Sequence, residues 1–196
     1  MPVSSGLMKN ATTKGLPPWT VVAIRFGIVG GVVIAVLVAG QLAVKRSPTD
    51  GKSQQTAAAV ELAISNFLSD YGKVPDVGAK VQTDSEAGVH LLTLLLGQEM
   101  PDGAGKVQNP RGIKYLNVRE AHAKAKGLLY DPSGKSVVGL YDSWGNPFIV
   151  ELDVDNQGCV RPQLGSGTVE LKGKRVAVYS AGCDRKLGTA DDVKTW

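Results

Sequence analysis

Apolar residues follow three different patterns along the chain. From Trp19 to Val44 they form a long run, interrupted by Arg25 and Gln41. Roughly 20 largely apolar residues carry a helix across the hydrocarbon core, so this stretch predicts a transmembrane anchor. Trp19 suits the headgroup layer, and Arg25 can extend its aliphatic stem toward it. A cleaved secretory signal is the rival reading, because Lys9 and Lys14 precede the run and Val38-Ala39-Gly40 offers small residues. The run is longer than a typical signal core, which favours the uncleaved anchor.

Residues 45–52 read as a linker, since Pro48 resists helix continuation and Gly51 weakens one. After Ser53 the period becomes helical. Val60, Ile64, Phe67, Leu68 and Tyr71 make one apolar stripe, and Gly72 followed by Pro75 ends the helix. A shorter helix is predicted over 85–96, with Val89, Leu92, Leu95 and Leu96 buried and Gly97 as its stop. The stretch 119–126, which contains His122, reads as an exposed loop or short helix. From Gly127 onward strands and turns dominate. A turn at Trp144-Gly145-Asn146-Pro147 precedes a strand in which Phe148, Val150, Leu152 and Val154 alternate with Ile149, Glu151 and Asp153. Residues 153–158 form the next turn, read as a hairpin, and Lys174 to Ser180 is the last strand. The predicted fold is α+β: a transmembrane helix over 19–44, then a domain over 53–196 with a helix packed on one face of a small antiparallel sheet.

The chain has 196 residues, enough for an anchor plus one modest globular domain but not for a multidomain enzyme. Its net charge of +4 is dispersed, with no run of like charge longer than a pair, so nucleic acid is not an expected partner. Phosphate-binding glycine loops and nucleophile motifs are missing. The two histidines, His90 and His122, fall in unrelated elements, and a lone His on such a helix is ordinarily a surface or packing residue. An enzyme is therefore not expected, and no small-molecule substrate is evident.

The C-terminal segment carries the densest chemistry. Asp184, Asp191 and Asp192 lie in a short loop broken by Gly182 and Gly188 and closed by Val193 and Trp196. Calcium takes six to eight oxygen ligands at roughly 2.3–2.6 Å, and a glycine-punctuated loop can aim carboxylates and main-chain carbonyls at one point. The competing reading is that these residues cap turns, since Asp accepts bonds from its own backbone. Asp153-Val154-Asp155-Asn156-Gln157-Gly158 superficially matches the first half of a helix-loop-helix calcium loop, but the acid required at its twelfth position is replaced by Leu164. A turn is the better account there.

Three motifs occur in order: Asp70-Tyr71-Gly72-Lys73-Val74-Pro75 at a helix end, Tyr141-Asp142-Ser143-Trp144-Gly145-Asn146-Pro147-Phe148, and Ser180-Ala181-Gly182-Cys183-Asp184 followed by Gly188-Thr189-Ala190-Asp191-Asp192-Val193-Lys194-Thr195-Trp196. Together they resemble the C-terminal domain of the major pseudopilin of bacterial type II secretion systems, over about residues 53–196. The resemblance implies a calcium ion that holds the C-terminal loop against the sheet. Asp184, Asp191 and Asp192 would supply side-chain oxygens, and main-chain carbonyls near Ala181 and Thr189 would complete the shell.

It also implies residues 1–18 as a cytoplasmic tail, a single pass through the bacterial inner membrane, and a periplasmic domain. Membrane lipid and other secretion-system or pilin-like subunits, including further copies of this chain, are the implied partners. The chain departs from the family at its N-terminus. Arg25-Phe26-Gly27-Ile28-Val29 approaches the prepilin cleavage pattern but lacks the acidic residue that should follow, and residues 47–51 interrupt the continuous pilin helix. Residues 99–135 read as an insertion. Two functions follow: a structural subunit of, or accessory to, a type II secretion or related machine, or an anchored extracytoplasmic binding module built on the same domain. On the oxidising side of the membrane Cys159 and Cys183 can form a disulfide, or they are two unpaired small hydrophobes.

Overall fold

The computed structural model describes residues 48–101 and 105–196, with side chains described from residue 51. They belong to a compact unit that begins at Ser47. The expected tail, the anchor at 19–44 and the start of the linker lie outside the described residues. Among the described residues no helix is long and apolar enough to cross a membrane.

Helix α1 spans Pro48–Tyr71, so it begins five residues before the expected Ser53 start. Proline is compatible with a first helical position, where its missing N–H has no intrahelical partner to lose. Residues 48–52 are thus helix rather than linker. The stripe forms as its spacing predicts: Val60, Ile64 and Phe67 are fully buried, joined by Ala57 and Ala63, with Leu68 and Tyr71 packed at the edge. Burying Phe67 alone contributes about 2–3 kcal/mol. The helix stops where Gly72 N returns to Leu68 O at 2.8 Å.

Strand β1 (Lys80–Gln82) leads into helix α2 (Glu86–Leu95). Ser85 caps α2 by accepting the Gly88 N–H at 3.1 Å, the side-chain capping that favours Ser at this position. Leu91, Leu92, Leu94 and Leu95 are buried, and Val89 only partly, because a ten-residue helix covered on two sides buries a wider arc than one stripe.

Beyond it come β2 (Glu120–Ala121), β3 (Gly127–Tyr130), β4 (Val137–Tyr141), β5 (Ile149–Leu152), β6 (Cys159–Val160), β7 (Gln163–Leu164), β8 (Gly167–Thr168), β9 (Leu171–Lys172), β10 (Val176–Ser180) and β11 (Val193–Lys194). The main sheet has the order β1-β5-β10-β11 and is antiparallel throughout. A second sheet, β2-β3-β4, pairs β2 with β3 in parallel. The arm from β6 to β9 folds back on itself as two short ladders, β6 with β9 and β7 with β8. Among the described residues the fold is α+β, with two helices and small, mostly antiparallel sheets.

α1 packs on β10 and β11, and α2 packs on β4 and β1. Val150, Leu152, Val176 and Val178 meet the helices in the shared core. The alternation expected in β5 describes its two faces, but not their exposure, since all four residues are buried. Glu151 is held on the far face: the Tyr179 hydroxyl donates to its Oε1 at 2.7 Å, and Lys80 Nζ lies 3.3 Å from the same oxygen. The Trp196 ring meets Tyr179 edge-on at 5.8 Å.

The turn after β5 forms, yet it does not make a hairpin, because β5 pairs with β1 and β10 while β6 pairs with β9. Asp153 caps it by accepting Gln157 N and Gly158 N, each at 2.8 Å. Arg175 Nε lies 2.7 Å from Asp153 Oδ2 as an ion pair, without the alignment of a hydrogen bond. The final strand is β11, not the one ending at Ser180; Ser180 pairs with Val193 across the acidic loop.

Candidate metal loop at the C-terminus

The loop between β10 and β11 starts and ends on adjacent strands, which returns Asp191 to the side of Asp184. Its closure depends on Gly182, which adopts φ 65°. A Cβ there would lie 2.2 Å from Asp191 O and 2.7 Å from Asp191 Oδ2, so any side chain would drive the two ends of the loop apart.

Each aspartate does local work. Asp191 Oδ2 accepts Asp184 N at 3.0 Å, and its Oδ1 accepts the Thr189 hydroxyl at 2.7 Å. Those bonds, led by Thr189 and followed by the Cys183 thiol, hold the Asp191 carboxyl well below the usual carboxylate range. The same contact, seen from the sulfur, raises the Cys183 thiol above its ordinary value. Asp184 Oδ1 accepts Lys186 N at 2.8 Å, and Asp192 Oδ2 accepts Gly188 N at 2.9 Å. The turn-capping role weighed from the sequence is therefore present at all three positions.

One atom is left over. The Asp192 side chain is fully buried, with Lys194 Nζ 3.8 Å from Oδ2, and its Oδ1 has no hydrogen-bond partner. A buried carboxylate oxygen without a donor is costly, and a hard cation is one of the few partners that would satisfy it. The donor set of Ala181, Asp184, Thr189, Asp191 and Asp192 fits calcium chemically, acidic oxygens beside main-chain carbonyls, although the Cys183 thiol sits against Asp191. Among the described residues, however, no group of three or more His, Cys, Asp or Glu side chains converges as a formed metal shell.

The loop is docked from two sides. Asn146 Nδ2 donates to Gly182 O at 2.6 Å and to Asp142 Oδ2 at 2.8 Å, and the Ser180 hydroxyl donates to the same Asp142 oxygen at 3.0 Å. Lys174 Nζ binds both Glu61 Oε1 on α1, at 2.7 Å, and Thr195 O, at 3.1 Å, and Gln54 Nε2 donates to Lys194 O. Asp142, Lys174 and Glu61 are residues that spacing did not mark as part of this region. The Asp-x-Trp-Gly-Asn pattern was the available signal for the first of them.

Cys159 and Cys183 are both free thiols, the first half-buried and the second exposed. His90 Nε2 lies 3.2 Å from Glu99 Oε1 on the surface, in keeping with its packing role, and His122 is exposed. No family model, curated protein or solved structure matches the chain.

Proposed function

We propose that the chain is a membrane-anchored, pseudopilin-like structural subunit of, or accessory to, a type II secretion or related machine, with its C-terminal loop stapled by calcium. The observation that carries the calcium part is the buried, unpartnered Oδ1 of Asp192 in a loop already joined to the Trp-Gly-Asn-Pro turn. A long helix packed on an antiparallel sheet, and three motifs in pseudopilin order, support the structural role. Bound calcium would supply positive charge to the loop. The chain's own contribution is to hold Asp184, Asp191 and Asp192 between β10 and β11 and to exclude water from Asp192.

The test is a thermal melt of the compact unit Ser47–Trp196 with millimolar calcium, magnesium or excess chelator. A ligand that binds only the folded state at a hundredfold excess over its Kd adds about 2.7 kcal/mol, a shift of several degrees. A rise with calcium that magnesium does not reproduce supports the reading. Identical midpoints in all three conditions overturn it.

A second reading, an anchored extracytoplasmic binding module, draws on the basic concavity described next. Crosslinking in cells separates the two: a ladder of self-adducts indicates assembly, and one foreign adduct indicates a module.

A further inference from the structure

One concave surface is lined by three cations that pair with no carboxylate among the described residues. A cavity of about 310 Å³ opens beside the second turn of α1, the segment 117–119 that enters β2, and the turn that follows β4. Lys52, Arg119 and Lys126 line it. None of the three forms an ion pair among the described residues, whereas Lys80, Lys174 and Arg175 all do. Among the described residues the one carboxylate on its wall belongs to Asp142, which is buried and committed elsewhere: it accepts Trp144 N, Asn146 N, Asn146 Nδ2 and the Ser180 hydroxyl. Gln55 and Asn117 add exposed amide donors.

Three like charges around one hollow repel each other, and an anion seated between them removes that cost. A guanidinium offers a planar fork that matches two phosphate oxygens, and two ammonium groups supply further charge-assisted donors. The volume is ample for one phosphate-bearing group. We infer that this cavity is a binding site for a phosphate group, held by Arg119 together with Lys52 and Lys126.

A lipid headgroup and a free phosphate present the same chemistry. The headgroup source rests on the anchor reading: Lys52 lies eight residues beyond Val44, and because the chain is helical from Pro48 the reach is at most about 20 Å. The site itself does not need that reading, nor the calcium loop.

The test uses the full chain in uncharged detergent with chelator present, so that calcium plays no part. It is titrated separately with dihexanoyl phosphatidylglycerol and with inorganic phosphate, following amide shifts and heat. Arg119→Gln with Lys126→Gln is compared with Lys73→Gln with Lys135→Gln, which removes the same charge from exposed positions outside the cavity. Saturable binding, with amide shifts centred on Lys52, Arg119 and Lys126, is expected. It should weaken at least about tenfold in the first variant and stay unchanged in the second, in line with the loss of charge-assisted bonds. Binding of the lipid without competition from inorganic phosphate assigns the headgroup as source; competition assigns a soluble phosphate. No saturable binding of either probe, or an equal loss in both variants, overturns the site.

Discussion

The side-chain amide of Asn146 donates to the main-chain carbonyl of Gly182 at 2.6 Å, across 36 positions of sequence. This bond joins the turn after β4 to the first residues of the acidic loop. The same amide holds Asp142 Oδ2, so a single planar group fixes the spacing between the carboxylate that organises the turn and the backbone that starts the loop. Two motifs that look separate in the chain are one structural unit.

Asn146→Ala should therefore destabilise the domain by about 1–3 kcal/mol, because it orphans Gly182 O and strips a donor from a buried carboxylate. Asp142→Ala should cost more, about 3 kcal/mol or above, since four donors lose their acceptor at once. Urea unfolding measures both. Equal, near-zero losses would show that the junction is not what holds the loop.

Glycine substitutions at two helical positions should have opposite signs. A Cβ at Gly88 would lie 1.8 Å from Gln82 O, a backbone atom that cannot swing aside, so Gly88→Ala should cost about 3 kcal/mol or more. Gly51 sits in α1 with open space around it, and Gly51→Ala should stabilise by about 0.5–1 kcal/mol. Thermal melts of the two variants, compared with the parent chain, check both signs.

The alkaline limb of stability should fall steeply. Burial, then the hydrogen bond and charge of Glu151, raise the Tyr179 phenol above its ordinary 10.0, and burial also leads the upward shifts at Tyr115 and Tyr141. A group with a raised folded-state value keeps its proton while the unfolded chain loses it. Its contribution is complete below pH 10 and declines above it, by up to about 1.4 kcal/mol per pH unit for the buried Tyr179 and by less for the solvent-screened Tyr115. Tyr179→Phe should lose about 1 kcal/mol at pH 7, where Glu151 keeps Lys80, yet show a decline above pH 10 shallower by one proton. Parallel limbs for mutant and parent, in urea midpoints from pH 7 to 11.5, would remove Tyr179 from the account.

Asp192→Asn replaces a charged, unpartnered buried oxygen with a neutral group of the same shape. In chelator the variant should stay within about 1 kcal/mol of the parent, because relief of the buried charge is offset by the lost ion pair with Lys194 and by an amide donor without an acceptor. In calcium it should lose the parent's gain. Asp191→Ala with Asp192→Ala should be less stable in both conditions, through the lost bonds to Asp184 N, Thr189 and Gly188 N, and insensitive to chelator. A double variant still destabilised by chelation would place the ion elsewhere.

The helices were legible because their determinants are local. Ser85 three residues before Gly88, the Leu-rich run behind it, and Gly72 after a 3.6-residue stripe each act within one or two turns of their own position. The strand after Pro147 was legible for the same reason, as was the turn at 144–147. The acidic loop was legible as a cluster, although the division of its carboxylates between backbone capping and an orphaned oxygen was not.

Other features depended on partners distant in sequence. Asn109 looks like an ordinary loop residue, yet it is buried and saturated. Its amide nitrogen donates to Leu94 O and Ile113 O, and its oxygen accepts the Tyr71 hydroxyl and Ile113 N. Glu151 looks solvent-facing by alternation, but its pairing with Tyr179 and Lys80 lets it stay under cover. Val193-Lys194 is too short to read as a strand and becomes one because β10 offers an open edge beside it.

By itself the sequence determined the α+β class, the limits of α2, the C-terminal end of α1 and the clustering of acidic groups near the C-terminus. Periodicity, caps and turn residues act through bonds made a few positions away, and those bonds form the same way in any surroundings. Only the tertiary structure decided which edge takes the last strand, which carboxylates are covered, and that Lys52, Arg119 and Lys126 line one cavity. Burial and charge proximity are properties of chain segments that approach in space, and no local pattern encodes the distance between them.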